Sequence, residues 1–107
     1  PICFWRSDDG LNCVQISPLS LPTNHQNTKL AVAPSNPNVV YYYTVTPNAG
    51  LSDVSFWKYT YISGTGAGSG GVWDNRSNSL PPAAGYSLNT QGSYCMSLAV
   101  KPDNENV

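Results

Sequence analysis

Two neighbouring segments limit what this chain can fold into: Asn38-Val-Val-Tyr-Tyr-Tyr-Thr-Val-Thr46 and Val54-Ser-Phe-Trp-Lys-Tyr-Thr-Tyr-Ile62. Both are dense in β-branched and aromatic side chains, which lose χ1 freedom in a helix and fit a pleated surface. Between them lies only Pro47-Asn-Ala-Gly-Leu-Ser-Asp53, built from turn residues, so the segments read as a central antiparallel pair. Alternation puts Val39, Tyr41, Tyr43 and Val45 on one face and Val40, Tyr42, Thr44 and Thr46 on the other. In the partner strand, Val54, Phe56, Lys58, Thr60 and Ile62 oppose Ser55, Trp57, Tyr59 and Tyr61. Neither strand separates apolar from polar cleanly.

The rest of the chain is looser. Ile2 to Ser7 and Leu11 to Ile16 flank Asp8-Asp9-Gly10, a turn that suits a left-handed Gly and predicts a short hairpin with Ser7 facing Leu11 and Trp5 facing Cys13. From Ser17 to Pro37 the chain reads as an irregular connection in which Pro18, Pro22, Pro34 and Pro37 block helix and central ladder positions. Asn24-His-Gln-Asn27 is polar turn material, and a brief strand from Thr28 to Ala33 interrupts the connection. Ser63 to Gly71 reads as a flexible glycine loop before a short strand at Val72-Trp-Asp74. Asn75 to Ala84 is turn-rich around Pro81-Pro82, Ser93 to Val100 reads as a buried strand, and the polar tail after Lys101-Pro102 is expected to fray. No helical periodicity is sustained and no repeat is visible. The expectation is one domain, residues 1–107, all-β, an antiparallel β-sandwich or small twisted two-sheet domain with long Pro/Gly/Asn-rich loops.

Charged residues make up only 10% of the 107 residues, against about 25% in an ordinary soluble domain. With Asn, Ser, Thr and Tyr in their place, this is the profile of an extracellular or surface-displayed β protein. The net charge is −1, and Arg6, Lys29, Lys58, Arg76 and Lys101 are scattered singly. No positive stripe exists for nucleic acid or an anionic membrane, and no apolar run approaches the length of a spanning helix. The chain begins at Pro1; a cleaved secretion signal would explain that, as would an arbitrary boundary.

Three cysteines, Cys3, Cys13 and Cys95, leave one thiol over after any intrachain bridge. The predicted hairpin sets Cys3 diagonally from Cys13, which strains a direct bond, so one of the two is expected to pair with Cys95. The spare thiol is either buried or available to another chain.

Catalytic chemistry has few candidates. Acid–base or nucleophilic mechanisms need two or more positioned titratable groups, and the chain offers one His, His25, beside six acidic residues. Gly66-Ala-Gly68-Ser-Gly-Gly71 spells a dinucleotide-like glycine pattern, but Val72-Trp73-Asp74-Asn75 follows it where a helix should receive the pyrophosphate. No Cys or His pair has metal-ligand spacing, and the oxygen-rich Asp8 to Asn12 reads as turn chemistry. Asn75-Arg76-Ser77 is a glycosylation sequon whose relevance depends on a secretory route. The expectation is a chain that is not an enzyme and needs no metal or cofactor.

What remains is the aromatic set of three Trp, seven Tyr and two Phe. Most must form the core, since Leu and Ile are few. A chain this short covers one aromatic sheet face more easily than two, so the surplus predicts a partner. Candidate contact residues are Trp5, Trp57, Tyr59, Tyr61 and Trp73. Two occupants fit: other protein subunits, possibly copies of the same chain, packed on the face or added to an edge strand, or glycans stacked on exposed rings. The first makes the chain a structural or adhesive subunit of a filament, pilus or virion surface; the second makes it a carbohydrate-binding module. Gly92-Ser-Tyr-Cys-Met-Ser97 resembles the late strand of some type IV pilin heads, over six of 107 residues. The chain departs from that family in lacking the hydrophobic N-terminal assembly helix, so the resemblance implies at most a separately encoded head domain.

Overall fold

The computed structural model describes residues 3–21, 27–46, 54–79 and 98–107. Six strands follow one another: β1 (Trp5–Ser7), β2 (Cys13–Gln15), β3 (Thr28–Ala33), β4 (Asn36–Val45), β5 (Val54–Tyr61) and β6 (Gly71–Asn75). They form a two-stranded sheet, β1-β2, and a four-stranded antiparallel meander, β3-β4-β5-β6. The fold is thus a small all-β two-sheet domain, as the β-branched and aromatic segments require.

The two central segments pair with each other, with Val40 opposite Tyr59, Tyr42 opposite Trp57 and Val45 opposite Val54. The brief strand at Thr28 to Ala33 is the other partner of β4, through a hairpin turn at Pro34-Ser35 and a bulge between Val32 and Ala33. Pro34 presets the turn dihedral, and Pro37 lies at the start of β4, before the pairing with β5 begins at Val39. Pro34 and Pro37 therefore delimit the β3-β4 ladder from within, while Pro22 lies outside the described residues.

One face of the large sheet carries Tyr42, Trp57 and Tyr59, covered by Phe4 and Ile16 from the ends of the β1-β2 hairpin. Phe4 stacks on Tyr42 at 4.5 Å between ring centroids and on Trp73 at 5.7 Å, offset contacts worth about 0.5–1.5 kcal/mol each beyond area burial. The Trp73 indole donates to the Ile16 carbonyl, and the Phe4 N–H donates to the Ser17 hydroxyl at 2.7 Å. The opposite face buries Ala33, Val39 and Tyr41, packed against Phe56 of the same face and against Leu98 and Val100. Both aromatic faces are therefore covered by the chain itself.

Three local expectations are corrected. In the hairpin, Trp5 faces Gln15 and Ser7 faces Cys13, a register two residues from the predicted one. The cause is Asp9, whose carboxylate accepts the N–H groups of Leu11 and Asn12, each at 2.8 Å, and stabilises a five-residue turn. Gly10 takes the expected left-handed conformation, φ 77°. Cys13 then lies four residues along from the level of Cys3, about 13 Å of strand and too far to bridge. Cys3 and Cys13 are both free thiols, so neither makes the expected bond to Cys95, which lies outside the described residues. The C-terminal tail is not frayed: the Lys101 and Val107 backbones close on each other, and the Tyr41 hydroxyl donates to the Glu105 carbonyl at 2.7 Å. Of the predicted strand at Ser93 to Val100, only Leu98 to Val100 are described, and they are irregular.

Two outcomes follow. Trp57→Ala empties the centre of the first core and should lower unfolding free energy by about 3–5 kcal/mol, read from urea denaturation. Asp9 is held well below the usual carboxylate range, chiefly by the Asn12 and Leu11 backbone N–H groups. A depressed folded value means its contribution is complete above the unfolded pKa of about 3.9 and is lost as pH falls towards the folded one. The stability gap between the wild type and Asp9→Ala should therefore narrow between neutral and strongly acidic pH.

Candidate functional site

Five candidate contact residues divide by depth. Trp57 and Tyr59 are each only 2% exposed, so they are core residues and present no ring to a partner, which corrects the expectation that they do. The Trp57 indole N–H is buried without an acceptor. Trp73 is half-buried, packed against Tyr59 at 4.9 Å, and lines a cleft of about 400 Å³ with Gln15, Ser17 and Gly68. Tyr61 is half-buried, and Trp5 is 55% exposed.

Trp5, Tyr59 and Tyr61 nevertheless meet, as part of the lining of a second cleft of about 180 Å³ that also takes in Arg6, Asn38 and Tyr42. Its walls are fixed. The Arg6 guanidinium lies 4.1 Å from the Tyr61 ring centroid, pairs with Asp8 at 2.7 Å and donates to the Thr65 carbonyl at 3.1 Å. The Tyr59 hydroxyl donates to the Gly66 carbonyl at 2.8 Å, and the Tyr61 hydroxyl to Gly64 at 2.9 Å. The glycine run is thereby tied down, against the expectation of a slack loop. It contains a 3₁₀ turn at Gly68–Gly70 and no helix that would serve a dinucleotide. Burial pushes the Tyr42 and Tyr59 phenols above their ordinary value, so both stay neutral donors across the physiological range.

Beside this cleft runs β3, an edge strand among the described residues. The Val45 N–H donates to the Asn27 carbonyl at 3.0 Å, which fixes the ladder phase: Lys29 and Ala31 bond to β4, while Leu30 and Val32 turn their backbone groups outward. Their side chains lie on the cleft face, next to Tyr42 and Val40 respectively, and are 59% and 48% exposed. Tyr42 and Val40, the residues they face across the ladder, line the cleft together with Trp5. Sequence reasoning missed Leu30 and Val32; their alternation was visible, but that β3 would be an edge was not.

Among the described residues there is no group of three or more His, Cys, Asp or Glu that could hold a metal ion. His25 lies outside them. No described helix is long and apolar enough to cross a membrane. Comparison with protein-family models, curated proteins and solved structures yields no match.

The glycine run offers a direct check on the cleft. A Cβ at Gly66 would overlap the Tyr59 hydroxyl and reach 3.0 Å from the Arg6 side chain, whereas one at Gly64 meets open space. Both have positive φ, so Gly66→Ala should cost about 1–3 kcal/mol more than Gly64→Ala in urea denaturation.

Proposed function

We propose that this domain is a non-catalytic structural or adhesive subunit of an extracellular surface assembly, joined to a neighbouring polypeptide along β3. The observation that carries the reading is the outward-facing pair Leu30 and Val32 on an edge strand, both about half exposed. Unpaired backbone groups offer a template for an incoming strand, and alternate side chains of that strand would meet the cleft beside Trp5. Sparse charge supports this, because close-packed subunits then repel little. The sheet faces themselves no longer enter: the chain covers its own central rings, so contact runs through the edge and Trp5 rather than through Trp57 or Tyr59.

A second reading is a carbohydrate-binding module, favoured by the half-exposed Trp5 ring at the mouth of a cleft that also holds Asn38 and Arg6. A sugar ring would stack on the indole while the amide bonds its hydroxyls.

The readings separate by experiment. The double variant Leu30→Lys with Val32→Lys changes two exposed side chains and should cost little stability, about 0.5 kcal/mol each. It should nonetheless abolish oligomers that the wild type forms in light scattering coupled to size exclusion. Wild-type oligomers that survive the double change would sink the edge-strand reading. For the glycan reading, the Trp5→Ala variant should lose binding that the wild type shows on a glycan array, and a silent wild type removes it.

A further inference from the structure

We infer that the chain occupying the β3 edge is a second copy of this one, paired antiparallel about a twofold axis beside Ala31; this rests on the edge-strand assembly proposed above. The ladder phase leaves Leu30 and Val32 facing outward, and Thr28 is already engaged within the chain, so the run open to a partner is short and its register is constrained. Setting Leu30 of one copy against Val32 of the other makes two hydrogen-bonded pairs, each exchanging both N–H···O bonds, with Ala31 facing its own counterpart between them. The alternation then works on both faces. Leu30 and Val32 of the two copies form an apolar cluster on the cleft side, and the small Ala31 side chains meet on the other. Charge disfavours one of the other registers. β3 carries one ion, Lys29, which this register places against Ala33 of the other copy, whereas a slip of four residues in the pairing would set Lys29 against Lys29. Pro34 lacks an N–H and limits the pairing beyond Ala33. The two four-stranded sheets become one continuous sheet across the axis. Such a contact is isologous and small, so the dimer is concentration-dependent.

Amide exchange followed by NMR over a dilution series tests this without altering the chain. Lys29 and Ala31, bonded to β4, should be protected at every concentration. Leu30 and Val32 should exchange as solvated amides when dilute, and about fivefold slower at a total chain concentration about ten times the dimer dissociation constant. A second arm reads the register. In a chain with Cys3, Cys13 and Cys95 replaced by Ser, Ala31→Cys should oxidise to a covalent dimer, while Lys29→Cys should not. Oligomers that form while the Leu30 and Val32 amides stay unprotected would overturn the inference and leave the assembly reading standing. Cross-linking through Lys29→Cys in preference to Ala31→Cys would overturn the register. A chain that remains monomeric while a different polypeptide protects the same two amides would assign the edge to that partner, overturning self-pairing alone.

Discussion

The packing of Phe4 and Ile16 onto the Tyr42, Trp57, Tyr59 and Trp73 rings turns a four-stranded ribbon into a two-layer domain. A meander alone leaves a sheet face wet, and this face carries the largest buried side chain in the molecule, Trp57. The hairpin that covers it is short and owes its geometry to one carboxylate. Asp9 gathers the turn, the turn sets the register, and the register delivers Phe4 and Ile16 to the rings. The hydrogen bond from Trp73 to Ile16 ties the last strand of the meander to the hairpin.

On the other side the work is done by the chain's final residues. The Tyr41 hydroxyl and the Lys58 ammonium both reach this segment, at the Glu105 carbonyl and the Asn106 amide. Leu98 and Val100 supply apolar cover over Tyr41 and Phe56. Polar residues that look expendable in isolation thus close a core, because the Glu105 backbone carbonyl meets the hydroxyl of a tyrosine that would otherwise be buried without a partner.

Much of the fold was legible in the residues. β3, β4, β5 and β6 lie within two residues of the segments that β-branched and aromatic density marks, and the division of β4 and β5 into faces follows from alternation alone. What alternation cannot supply is partnership. Pro34-Ser35 looks like one more irregular proline site until Thr28 to Ala33 is seen to fold back on β4. Likewise Asp8-Asp9-Gly10 suggests a tight turn, and only the side-chain acceptors of Asp9 and Ser7 make the longer loop preferable. The candidate site was legible in the same measure. Aromatic residues could be named, but which rings stay wet depended on tertiary cover that no local pattern encodes. Trp5 kept its exposure, Trp57 and Tyr59 lost theirs, and Leu30 and Val32 took on importance through their position at an edge.

The three indoles sit at three depths: Trp57 enclosed and without a hydrogen-bond acceptor, Trp73 half-covered and bonded, Trp5 largely in solvent. Indole emission moves to longer wavelength with solvation, so the molecule contains its own set of optical reporters. The blue edge of its fluorescence belongs to the interior and the red edge to Trp5 at the lip of the cleft. An event at the lip and a loosening of the core would consequently leave different spectral signatures in the unlabelled chain.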